Sequence, residues 1–167
     1  MKSCAGRRLA AALYFALLFS IPAYAAAQGY PFSQRATITQ HIALTTVSVT
    51  YGRPVARGRE LFGKLVPWDS IWHPGADSAT RVTISHDVVV EGHPLKAGQY
   101  SLWLLPREQG PWTVIFSHAT RVNHTPYPGS SHDVLRVDVT PEAVSHVETM
   151  TIDFPLVLRE NAVMRIY

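Results

Sequence analysis

The sequence predicts an all-β fold: an antiparallel β-sandwich or flattened barrel of about 8–10 short strands, with at most one short helical turn near residues 60–66. Three observations carry this. Runs rich in Val, Ile and Thr alternate apolar and polar residues, the period of a half-buried strand. These runs recur roughly every 8–12 residues, with Gly and Pro between them. No stretch after the first 27 residues holds a helical period.

Residues 1–27 read as a secretory signal. Lys2, Arg7 and Arg8 give a positive start, Leu9 to Ile21 is an apolar core, and Ala23-Tyr24-Ala25 has the small-x-small form of a cleavage site. Cleavage is expected after Ala25 or Ala27. The apolar run is short for a membrane span, so no stable membrane insertion is expected after cleavage. Cys4 is the only cysteine and leaves with the signal. Thiol catalysis and Cys-ligated zinc are thereby excluded from the mature chain. The net charge of +3 also comes from the signal: without Lys2, Arg7 and Arg8, 12 of the 15 Lys and Arg remain, against 12 Asp and Glu. Such a balance gives no global attraction to nucleic acid or anionic lipid. The expectation is a secreted or periplasmic protein with one domain at 28–167, a length that suits a single core.

Ala36–His41 and the alternating Val47, Val49 and Tyr51 read as the first two strands, and Ala79–Ser85 as the next. Val88–Glu91 and Gly98–Leu105, separated by Gly92-His93-Pro94, read as an antiparallel hairpin. Pro111–Ser117 and Asp133–Thr140 each make a strand; His146–Phe154 and Leu156–Tyr167 supply the last.

Two segments interrupt this pattern. The first, YGRPVARGRELFGKLVPWDSIWHPGADSAT (51–80), carries Arg53, Arg57, Arg59, Lys64, Trp68, Trp72, His73 and Asp77. Charged and aromatic groups concentrated in a long connection on a strand scaffold are where a site is expected. The second, HATRVNHTPYPGSSH (118–132), holds His118, His124 and His132. A sandwich closed by loops at its ends would bring the two together.

Each candidate has a functional and a structural reading. Arg53, Arg57 and Arg59 would clamp an anion or acidic sugar bidentately, or else pair locally and fix the loop. Trp72, with Trp68, Trp112, Tyr51 and Tyr127, would give a stacking surface; core packing is the alternative, above all for Trp103 and Trp112 in strands. His73 and Asp77 would serve as general base and orienter, or as half of a metal site, or Asp77 would simply turn the backbone. His118, His124 and His132 would ligate zinc or copper, but spacings of six and eight match no compact metal motif. There is no G-x-S-x-G, no phosphate-cradling glycine loop and no dinucleotide fingerprint, so no cofactor is expected.

The long first segment, followed by AGQYSLWLLP, WTVIF, DVLRVDV and HVETMTIDF, resembles the bacterial domain-of-unknown-function 2911 family over nearly the whole mature chain. The resemblance implies an exported, single-domain, mostly β protein, and no activity. Members often carry Arg where His73 stands, Asn where Asp77 stands, and Trp near Arg159, so the ligand here would differ from that of relatives. Three readings follow: a small-ligand or glycan binder using Arg53, Arg57, Arg59, Trp72, His73 and Asp77; a hydrolase or lyase using His73 with Asp77 or a His-ligated metal; and a structural envelope interaction module.

Overall fold

The computed structural model describes residues 32–167; the expected signal segment and its cleavage sites lie outside the described residues. The chain forms β1 (Arg35–Ile42), β2 (Thr45–Gly52), β3 (Arg81–Ile84), β4 (Val88–Val90), β5 (His93–Leu95), β6 (Gly98–Leu105), β7 (Trp112–Ser117), β8 (Asp133–Val139), β9 (Ile152–Val157) and β10 (Ala162–Ile166). Six of these make one sheet in the order β1-β2-β3-β6-β7-β8, every neighbouring pair antiparallel. β1 and β8 are its edges, so the sheet is open and no barrel closes. The β9–β10 hairpin is a second, two-stranded sheet.

The fold is all-β as the alternation predicts, with three local differences. Val88–Val90 does not return through Gly98–Leu105. It pairs with His93–Leu95 across Glu91 and Gly92, both at positive φ (47° and 81°), while β6 joins the main sheet. The strand expected from His146 begins only at Ile152. Residues 60–66 form tight turns rather than a helix: Gly63 sits at φ 82° and the Val66 N–H bonds the Leu61 carbonyl at 2.8 Å. The one turn of 3-10 helix among the described residues is Ser130–His132.

Because side chains alternate, the main sheet has two unlike faces. One carries Val49, Tyr51, Val82, Tyr100, Leu102 and Phe116, all buried, and Met150 and Ile152 close over them from the β9 side. The Tyr51 hydroxyl fixes that layer by accepting the Ile152 N–H at 2.9 Å. Each such buried side chain contributes about 1.5–3 kcal/mol, so this face holds the fold. The other face is polar. One row crosses all six strands through Thr37, Thr50, Arg81, Ser101, Ser117 and Asp133. A smaller apolar cluster of Ala79, Trp103 and Ile115 supports the loops over it.

Candidate functional site

The site is built from an excursion in a single strand. Trp72 exchanges both backbone hydrogen bonds with Leu104, at 2.7 and 2.8 Å. The ladder resumes where the Leu102 N–H bonds the Thr80 carbonyl and Arg81 faces Ser101. From Trp72 to Arg81 the chain advances nine residues while β6 advances three. The extra chain lies within residues 73–79, which loop out over the polar face. Pro74 brings no N–H to a ladder, and Asp77 adopts φ 63°, a conformation Asp tolerates better than most residues.

His73 ties the excursion shut. The Thr80 N–H donates to His73 Nε2, and the Thr80 hydroxyl donates to the Pro74 carbonyl at 2.6 Å. The loop also presses on β2: a Cβ on Gly52 would lie 2.5 Å from the Ala76 carbonyl oxygen, a backbone atom that cannot swing aside. Gly52→Ala is therefore expected to destabilise the protein by about 1–3 kcal/mol through overpacking. Urea unfolding with an unchanged m value would check this.

The second loop pairs with the first. Ser78 bridges Asn123, the Ala79 N–H bonds the Val122 carbonyl at 3.0 Å, and the His124 N–H bonds the Asp77 carbonyl at 2.9 Å. Residues 51–80 and 118–132 thus meet, at 77–79 and 122–124. The second loop is held from below by Tyr127. Its ring packs on Trp103 at 5.3 Å, and its hydroxyl donates to the Asp133 carboxylate at 2.5–2.6 Å. Arg136 clasps the same carboxylate at 2.7 Å. Burial and the bond to Asp133 raise the Tyr127 pKa.

This geometry decides what the histidines can do. His73 is buried, 3% exposed, and burial lowers its pKa to about 4, with His124 and Arg35 adding to the effect. It is a neutral imidazole whose lone pair already accepts the Thr80 amide. The proton is then on Nδ1, which has no hydrogen-bond partner among the described residues. The nitrogen that a base or metal ligand needs is thereby taken. His124 is the reverse: it is exposed, its Nδ1–H donates to the Asp77 carbonyl at 2.9 Å, and Nε2 is left as an open acceptor.

The other expected site residues are dispersed. Arg53 bonds the Met150 carbonyl and the Thr151 hydroxyl, and Arg59 bonds the carbonyls of Val55 and Ala56. Arg57 lies 3.5 Å over the Phe32 ring. Trp72 packs on the apolar face, while His73, one residue on, contacts Trp103 on the polar face. Trp68, Trp72 and Trp112 gather around Phe62 with centroids 4.8–6.1 Å away, so their rings are engaged with one another. Tyr51 and Tyr127 take no part in that cluster. The His118 N–H bonds the His132 carbonyl while His124 sits on Asp77, and among the described residues no three His, Asp or Glu side chains gather to hold a metal.

Where the loops join there are two adjoining hollows. One, of about 260 Å³, is lined by Ser78, Arg81, Thr120, Arg121, Val122 and Asn123. The other, of about 320 Å³, is lined by Asp77, Ser78, Asn123, His124 and Thr125. Sequence reasoning passed over Arg81, Arg121 and Asn123. Strand alternation carried one available signal: Arg81 precedes the core residue Val82 and must therefore point to the opposite face.

No curated protein and no solved structure matches the chain. A family described as a protein of unknown function matches residues 33–167, which span both loops and every strand. The chain belongs to that family, DUF2911.

Proposed function

We propose that the protein is exported and binds a small, hydroxyl-rich ligand, such as a glycan fragment, in the paired hollows at the junction of 77–79 with 120–125. Export rests on the charge, apolar core and small-residue pattern of residues 1–27. Binding rests on one observation: two hollows share Ser78 and Asn123, so one molecule can span both. The lining is polar, with hydroxyl, amide, carboxylate and imidazole groups suited to directional hydrogen bonds. Backbone bonds between the loops hold these groups in place before any ligand arrives, which reduces the ordering cost of binding.

A second reading is a hydrolase or lyase, and it is favoured by the open Nε2 of His124 beside Asp77. The catalytic base would then be His124, not His73. Heteronuclear NMR of the mature chain, titrated with small sugars and sugar acids, tests the binding reading. Shifts are expected at the amides of Asp77, Ser78, Asn123 and His124. Shifts confined to residues 53–59, or no response to any sugar, would sink it.

A further inference from the structure

We infer that the hollow between Arg81 and Arg121 is an oxyanion subsite that takes a phosphate or sulfate group. This rests on the binding reading above and specifies the chemical class of its ligand.

The inference starts from a contrast among arginines. Four are half-buried: Arg53, Arg81, Arg107 and Arg165. Arg53 bonds Met150 and Thr151, Arg107 bonds the Pro111 carbonyl and the Thr113 hydroxyl, and Arg165 pairs with Glu142. The side chain of Arg81, alone of the four, makes no hydrogen bond or ion pair with the described residues, its ladder bonds being backbone only. A guanidinium carries five donors, and those of Arg81 stay accessible and free to meet an acceptor that enters the hollow. The fold fixes the residue on this face, because Val82 and Ile84 are buried in the core and set the strand's facing.

Arg121 lines the same hollow from the second loop, exposed and likewise without a partner among the described residues. Two arginines then line one space from two elements that backbone bonds hold together. The rest of the lining adds the hydroxyls of Ser78 and Thr120 and the amide of Asn123, and no carboxylate. Guanidinium groups bind oxyanions through paired hydrogen bonds. Two such forks with three further donors exceed what one carboxylate accepts, and they match the oxygens of a tetrahedral anion. The neighbouring hollow has the opposite character, with the Asp77 carboxylate and the open nitrogen of His124 as acceptors for hydroxyl groups. The ligand chemistry that satisfies both is a phosphate or sulfate carried on a polyol or sugar.

Isothermal titration calorimetry at low ionic strength tests this, with inorganic phosphate, acetate, glucose and glucose 6-phosphate as probes. Phosphate is expected to bind more tightly than acetate, and glucose 6-phosphate more tightly than phosphate or glucose. Arg81→Gln and Arg121→Gln are each expected to weaken phosphate binding about tenfold or more. Neither side chain supports another group, so both variants should keep the parent melting temperature. If Arg81→Gln fails to fold, the exposed Arg121 decides. Equal phosphate affinity in variants and parent, or acetate binding as tight as phosphate, overturns the inference. A glucose response at the Asn123 amide without phosphate binding would overturn the oxyanion subsite and leave the wider binding reading standing. Phosphate binding through Arg81 and Arg121 with no gain for glucose 6-phosphate would keep the subsite and remove the sugar-binding part. A gain for the ester over free phosphate identifies an esterified source rather than the free ion.

Discussion

Lowering the pH from 6.5 to 4 is expected to remove roughly 3 kcal/mol of folding stability through His73 alone. In the unfolded chain this imidazole takes up a proton near its ordinary pKa of 6.5, whereas in the fold it does so only at about 4. Between those values the unfolded state binds the extra proton, so stability falls as pH falls. Above 6.5 both states are neutral and the effect vanishes; below 4 both are charged and the loss levels off. The cause is chiefly burial, and the neighbouring His124 and Arg35 both add to it by opposing protonation of the ring. Protonation would also remove the acceptor for the Thr80 amide and release the 73–80 excursion. His73→Gln is the comparison, because an amide oxygen can still accept from Thr80 while nothing at that position titrates. The stability difference between parent and variant, measured by urea unfolding at pH 7 and at pH 4, should shift against the parent by roughly 3 kcal/mol. Ionisable groups that do not act on position 73 are common to both proteins and cancel. A pH-independent difference would show that His73 is not held neutral by the fold.

The strands of the main sheet were legible because their side chains alternate between an apolar core and a polar face. Val82 and Ile84 against Arg81 and Thr83 state that pattern in one strand. Asp133 to Val139 states it again. His146–Phe154 has strand-like composition, but only Ile152–Phe154 joins a strand, while Glu148–Met150 bonds the irregular residues 54–56, and composition does not report which partner a segment takes. The long connection reads as irregular chain between strands, and it does join two paired neighbours, β2 and β3. Its internal geometry was not legible. Trp72 and His73 are neighbours in sequence and lie on opposite faces, because the excursion begins inside a strand. The arginine cluster illustrates a related limit. Four positive charges within twelve residues suggest an anion clamp, yet Arg53 and Arg59 bond backbone oxygens of their own fold. The unpartnered guanidinium, Arg81, sits outside that cluster at the start of β3. Sequence shows which donors exist; only the folded chain shows which acceptors they have already taken.

Trp103→Ala is expected to be the most damaging single change near the site, costing about 3–5 kcal/mol. Trp103 is 1% exposed and stands on the polar face of β6, beneath both loops. Its ring meets His73 of the first loop at 5.5 Å and Tyr127 of the second at 5.3 Å. Its Nε1–H donates to the Ser101 hydroxyl at 2.9 Å, so truncation also deprives a buried hydroxyl of its partner. The cavity cannot close readily from below, where the paired strands of the sheet fix the backbone. It would close only if the loops sank or separated, so loss of stability and loss of the site should come together. Hydrogen exchange can detect that coupling. The Ala79 and His124 amides, whose bonds join the loops, should lose protection beyond the global change, while Phe116, whose side chain lies on the apolar face, should follow the global change alone. Trp103→Phe keeps a ring between the loops and should retain part of the stability and most of the local protection, although it too loses the bond to Ser101. A cost below about 1 kcal/mol, or unaltered protection at Ala79 and His124, would mean that the loops are held by their own backbone pairing and that Trp103 only fills space.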